Sequence, residues 1–190
     1  MANTIDILGD DAVIDSIIDG SITEFVDDQI TRIGKYAFSS CGNLTSVVLP
    51  AATIIVEYAF YSCGNLTSVD LPAATGIGSY AFRNSGLISV SLPVVDRISS
   101  STFRSCSDLT SVDLPAATGI GEYAFYSCSK LTSVMLRNTA KVATLYNTNA
   151  FTNAKNAIFY VPDALVDDYK AATNWSTYAD RIKGLSELPA

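Results

Sequence analysis

Phenylalanine recurs along this chain at Phe38, Phe60, Phe82, Phe103 and Phe125, in steps of 22, 22, 21 and 22 residues. The leucine pairs Leu44/Leu49, Leu66/Leu71, Leu87/Leu92, Leu109/Leu114 and Leu131/Leu136 keep the same step. A period of this length means stacked supersecondary units, because one unit of about 22 residues cannot bury its apolar face without a neighbour. The expected fold is therefore an α/β repeat solenoid in one folded domain, with the repeats running from residue 22 to 162.

Within a unit, Leu44-x-x-Val47-x-Leu49 matches the strand of a leucine-rich repeat. Alternation along that strand turns Val47 and Leu49 inward and Ser46 and Val48 outward. Pro50 ends it, having no N–H to give to a ladder. The chain then returns through Ile55-x-x-Tyr58-Ala59-Phe60, a short helical turn or irregular segment, and Cys63-Gly64-Asn65 turns it into the next strand. Degenerate copies flank the five good ones. Ile22-Thr-Glu-Phe25-Val-Asp27 reads as a first strand and Ala157-Ile-Phe-Tyr-Val161-Pro162 as a last, giving a parallel sheet of about seven strands.

A solenoid exposes core at both ends and needs capping. Residues 1–21 place Val13, Ile14, Ile17 and Ile18 on one helical face, which predicts an N-terminal helical cap. Over residues 163–190 two stripes, Leu165/Tyr169/Ala172 and Trp175/Tyr178/Ile182, predict a C-terminal helical cap.

Charge and composition exclude several functions. The first 32 residues carry eight acids and one base, Arg32, within a net charge of −7. With no basic block, nucleic acid and anionic membranes are not expected partners. The apolar residues are scattered singly, so no membrane insertion is expected, and the N-terminus shows no secretory leader. The absence of histidine removes Ser-His-Asp and Cys-His nucleophilic catalysis and every histidine-containing zinc site. No cofactor, metal or enzymatic activity is expected. Cys41, Cys63, Cys106 and Cys128 share one column of the repeat, with Ser85 in the same place. Their spacing fits neither a zinc ribbon nor a redox pair, so they read first as a ladder of buried thiols.

The joint pattern Leu-x-x-Val-x-Leu-Pro … Ile-Gly-x-Tyr-Ala-Phe-x-x-Cys resembles the BspA-like, or Treponema pallidum-type, leucine-rich repeats. The run Tyr160 to Trp175 resembles the tail that closes such arrays in gut bacteria and their phages. The resemblance implies a curved right-handed solenoid used for adhesion or contact with a protein or glycan. Its location would be the cell surface, the exterior or a virion. The alternative is a structural part of a phage tail or surface layer. Three departures, Ser85, a one-residue deletion before Leu87, and Ser99-Ser100-Ser101-Thr102, are expected to weaken the third and fourth units and alter local curvature.

Two surfaces are candidates. The concave face presents Ser46, Ser68, Asp70, Ser89, Ser91, Ser111, Asp113, Ser133, Met135, Ile158 and Tyr160. The last three form either an apolar contact patch or a surface covered by the C-terminal cap. The other surface is the tyrosine column Tyr36, Tyr58, Tyr80 and Tyr123 with Tyr61 and Tyr126 beside it. It is either a ladder for a glycan or protein, or a set of rings stacked on one another over the turns.

Overall fold

The computed structural model describes residues 22–189, so the cap expected over residues 1–21 lies outside them. Each rung of the stack has three edges. The first is a long strand: Glu24–Val26, Ser46–Val48, Ser68–Asp70, Ser89–Ser91, Ser111–Asp113, Ser133–Met135 and Ile158–Val161 in successive rungs. The second is a short strand, such as Ile54–Ile55 or Gly76–Ile77. The third is a turn carrying the Tyr-Ala-Phe residues. All strands pair in parallel, and the register places like residues together, as in Ser46↔Ser68 and Val47↔Val69.

The return segment after each proline is thus a second strand followed by a turn, not a helix. In the second rung Tyr58 and Ser62 take φ of 61° and 58°, and equivalent residues do so in the other rungs. Side chains other than glycine and asparagine rarely adopt this left-handed backbone. The gain is in hydrogen bonds. The N–H groups of Tyr58, Phe60 and Ser62 point along the stack to Ser79, Ala81 and Arg83 of the next rung. Those of Ala59 and Tyr61 close turns onto Val56 and Tyr58. Every third-edge turn therefore forms its own seam with its neighbour.

Phenylalanine fills the core from the turn side. Phe38, Phe60, Phe82, Phe103, Phe125 and Phe151 are fully or almost fully buried and stack with ring centroids 4.9–5.5 Å apart. Rungs about 4.8 Å apart bring identical rings into offset stacking without any rotamer change.

The one-residue deletion has a clear effect. The long strands divide into a three-stranded sheet ending at Ser68–Asp70 and a five-stranded sheet beginning at Ser89–Ser91. The short strands divide at the same place, between Gly76–Ile77 and Arg97–Ile98. Gly86 replaces the usual Gly-Asn pair and lies against Gly64, where an added Cβ would come within 2.2 Å of the Gly64 carbonyl oxygen. Only the turn seam continues unbroken, through Tyr80, Phe82 and Asn84 donating to Ser100, Thr102 and Arg104.

The C-terminal segment differs from the two-stripe helical expectation. A 3-10 turn (Asp163–Leu165) leads into a short α-helix (Val166–Ala171). Asn174, at φ 66°, then turns the chain into a 3-10 helix (Trp175–Arg181). Ile182 is not on a helix at all. It begins an eighth long strand, Ile182–Gly184, paired in parallel with Ile158–Val161. The residues of both stripes do face the core, with Tyr169, Trp175, Tyr178 and Ile182 buried and Leu165 and Ala172 packed against it. What the sequence did not show is that they are carried by short 3-10 and α segments and a strand, because i, i+3 spacing fits a 3-10 turn as well as an α-helix.

The four thiols are free and buried. Cys63, Cys106 and Cys128 each donate to the phenylalanine carbonyl of the preceding rung, Phe38, Phe82 and Phe103, at 2.9–3.1 Å. Ser85 keeps the column polar and meets Cys106 Sγ at 3.2 Å. Burial pushes Cys41 and Cys106 up to about 11, Cys63 up to about 12, and Cys128 well above the usual thiol range. Unfolded thiols ionise near pH 8.5–9 while the native ones hold their protons. The thiols' contribution to stability is therefore fully present below about pH 8.5 and is lost as pH rises from there through about 11–12. Denaturant midpoints measured from pH 7 to 11 are expected to show this decline, and Cys106→Ala is expected to flatten it. A pH-independent midpoint would mean the thiols are not held in the core.

Candidate interaction surface

The long strands present small hydroxyls along one face. Ser68, Asp70, Ser89 and Ser91 are exposed, and Ser46, Ser111, Asp113, Ser133, Met135 and Ile158 are half-buried. The exposed four belong to the two rungs that flank the sheet break. Glu24 and Val26 at the N-terminal end of the face are exposed as well, so the sheet break is one of two open stretches.

Its C-terminal end is not an open apolar patch. Tyr160 is only 6% exposed and sits beside Lys183 of the eighth strand. Met135 Sδ accepts from Arg137 Nη2 at 3.1 Å, and the same guanidinium pairs with Asp113 at 2.8 Å. Tyr160 is therefore removed as a contact residue, and Met135 and Asp113 already have partners. The eighth strand, which covers Tyr160, was not legible in the three residues Ile-Lys-Gly.

A residue missed by sequence reasoning stands at the entry edge of this face. Thr45, Thr67, Thr110 and Thr132 form a column in which each N–H and hydroxyl donate to the same carbonyl one rung back. In the fourth rung the position is Ile88, which is 50% exposed. Isoleucine can make only the backbone bond, to Thr67 at 3.2 Å, and its apolar side chain is left toward solvent. Ile88 lines an open groove of about 570 Å³ with Thr45, Thr67, Gly86 and Thr110. Asp108 and Lys130, an ion pair at 2.7 Å, lie at its rim. The signal was present as one apolar residue in a threonine column, next to the deletion.

On the turn face, Tyr36, Tyr58 and Tyr80 stack at 5.0 and 4.9 Å. Lys35 lies over the first two rings and pairs with Glu57 at 2.5 Å. Tyr61 meets Tyr58, and Tyr126 meets Tyr123, edge-on at 5.8 and 5.6 Å. The rings are thus largely occupied by one another. The row is interrupted at Ser101, which holds the tyrosine position of the fourth rung with φ 58°.

Among the described residues no helix is long and apolar enough to cross a membrane. The model of the BspA-type leucine-rich repeat region matches residues 26–162 in six copies. The chain belongs to the BspA-type leucine-rich-repeat family. This BspA-type chain resembles the crystal structure of the T. pallidum leucine-rich-repeat protein at 25% identity, covering 85% of each chain with a TM-score of 0.66. A leucine-rich repeat protein of Bacteroides ovatus shares the fold at 22% identity and a TM-score of 0.53. The alignment covers 74% of this chain and 42% of that one. A leucine-rich cell-surface protein of Faecalibacterium prausnitzii aligns at 16% identity over 86% of this chain and 59% of its own, with a TM-score of 0.36. No curated protein matches. BspA-type and other leucine-rich-repeat proteins generally serve as protein-interaction modules and are typically non-catalytic.

Proposed function

We propose that this chain is a non-catalytic adhesion module that binds a protein partner at a bacterial surface through the long-strand face, centred on the sheet break. The observation that carries the reading is the position of Ile88. An exposed isoleucine lies in a groove lined by Thr45, Asn65, Thr67 and Thr110, at the entry edge of the strands that carry the exposed Ser68, Asp70, Ser89 and Ser91. An apolar anchor surrounded by small polar groups is the usual composition of a contact centre. The flat hydroxyl surface around it adds hydrogen-bonding groups without long side chains that would lose entropy on binding.

A photo-reactive amino acid at Ser89 is expected to cross-link one defined surface protein. In the otherwise native chain, Ile88→Asp is expected to weaken that complex by about thirtyfold or more, the effect of losing a central anchor. The substitution is on the surface, so the denaturant midpoint should stay unchanged. Undiminished association of Ile88→Asp would move the contact off this face.

A further inference from the structure

From rung to rung, the first residue of the short strand is Arg32, Ile54, Gly76, Arg97, Gly119 and Thr144. Two of the six are glycines, and their surroundings differ. Gly119 is buried, because the ring of Tyr146 reaches back over it from the next rung. A Cβ added at Gly119 would come within 3.0 Å of Tyr146 Cε2. Arg97 leans to the same side. Its Nε and Cγ lie 3.7 and 3.8 Å from that added Cβ, and its guanidinium carbon lies 5.1 Å from the Tyr146 ring centre. A glycine floor, a ring on it and an arginine against the ring thus make one packed unit.

Gly76 has the floor and the arginine but no ring. A Cβ added there would meet nothing within 4 Å. The residue in the register of Tyr146 is Ser99, whose short side chain instead donates to the Ile77 carbonyl at 2.6 Å. What remains is an open groove of about 570 Å³ over Gly76 and Gly78, lined by the exposed Ile54 from one neighbouring rung and by Arg97 from the other. Glycine within a strand often marks a place where a ligand or another chain approaches closely.

The main chain at this groove is also incomplete. The carbonyls of Thr31, Thr53, Asp96 and Thr118 accept from the N–H groups of Thr53, Thr75, Thr118 and Thr144 one rung on, at 2.7–2.9 Å. Across the sheet break the equivalent bond, from the Asp96 N–H to the Thr75 carbonyl, is not made. Among the described residues neither group has a protein partner, and Thr75 and Asp96 both line the groove. Backbone donors and acceptors are strong hydrogen-bonding groups, so one of each is left for an incoming chain.

We propose that this groove is a second binding site, which takes an aromatic side chain from an extended segment of a protein partner. The ring lies on Gly76 between Ile54 and Arg97, as Tyr146 lies on Gly119. The main chain of the segment supplies an N–H to the Thr75 carbonyl and a carbonyl to the Asp96 N–H. Aromatic side chains are the usual anchors of protein contacts. A sugar ring fits less well, because it stacks on an aromatic platform and no aromatic residue lines the groove. The site is on the short-strand edge and stands independently of the long-strand reading.

The probe is a blocked tripeptide with tyrosine between two serines, titrated into the isotopically labelled full chain and followed by NMR. Its leucine counterpart and methyl mannoside are titrated in parallel. Affinity for the tyrosine peptide is expected to be roughly millimolar, as for one small anchor. The amide signals of Gly76 and Asp96 are expected to move, and ring current is expected to shift the Ile54 methyl signals upfield. Gly76→Val fills the groove with a residue suited to a strand and is expected to weaken binding by about tenfold or more. Ile54→Ser removes one wall without filling the groove and is expected to weaken it by about threefold or more. Ile88→Asp, on the long-strand edge, is expected to bind like the native chain. Native denaturant midpoints exclude misfolding as the cause. Unmoved Gly76 and Asp96 signals, equal binding of the leucine peptide, tighter binding of the mannoside, undiminished binding by Gly76→Val or Ile54→Ser, or a loss in Ile88→Asp would each overturn the proposal.

Discussion

Replacing Trp175 by alanine is expected to destabilise the chain by about 4 kcal/mol and to release the C-terminal segment from the stack, as truncation of a fully buried tryptophan does. Trp175 has no exposed surface. Its indole meets Phe159 and Tyr169 edge-on at 5.2 and 5.4 Å and lies 6.1 Å from Phe151, closing the open end of the phenylalanine row. The indole N–H donates to the Ala143 carbonyl at 2.7 Å, and the Tyr169 hydroxyl accepts from the Ala143 N–H at 2.9 Å. Asn174 adds a bond to Leu145 and Arg181 one to Ala154. Ala143, in the segment between Leu136 and Phe151, is thus held at both its N–H and its carbonyl. Trp175→Phe keeps most of the packing, loses the N–H, and is expected to cost about 1 kcal/mol. Trp175 is the chain's only tryptophan, so in the native chain its fluorescence reports on the cap while circular dichroism reports on the whole. A midpoint for Trp175→Ala within 1 kcal/mol of native would show that the segment does not seal the core.

Phe82→Ala is expected to cost about 3–5 kcal/mol, the range for a buried aromatic truncation. Phe82 is fully buried and stacks on Phe60 at 5.1 Å and Phe103 at 5.5 Å. It also sits beside the sheet break, where the turn seam is the only continuous one. In a solenoid, stability is close to a sum of rung and interface contributions. A cavity at this interface is therefore expected both to lower the midpoint and to broaden unfolding into two steps. Phe125→Ala, inside the continuous five-stranded sheet, should lower the midpoint with a single step. A near-neutral Phe82→Ala would contradict the inward assignment of the whole column.

Much of this fold is legible in the sequence, and for a definable reason. Repetition presents the same environment several times, so Phe38 to Phe125 and the cysteine column could be read by position. The short strands escaped notice because residue pairs such as Ile54–Ile55 and Gly76–Ile77 are too brief to show alternation. The left-handed backbone at the tyrosines is set by the next rung's carbonyls, a long-range demand that local preference opposes. The surface sites follow the same logic in reverse. Serines at regular spacing marked the strand face, but the groove at Ile88 depends on a deletion whose effect is three-dimensional. Ile88 is visible as a departure from its column, though only the structure shows what the departure leaves uncovered.

The divided sheets also bear on the mechanics of the molecule. Three seams join most neighbouring rungs, but across Gly86 the two strand seams are interrupted and the turn seam alone is continuous. On the strand side these two rungs are joined by the Gly86 N–H to the Cys63 carbonyl, the Ile88 N–H to the Thr67 carbonyl and the Ser99 hydroxyl to the Ile77 carbonyl in place of continuous ladders. With fewer bonds to break than between other rungs, this is the interface at which a one-dimensional stack is expected to come apart first.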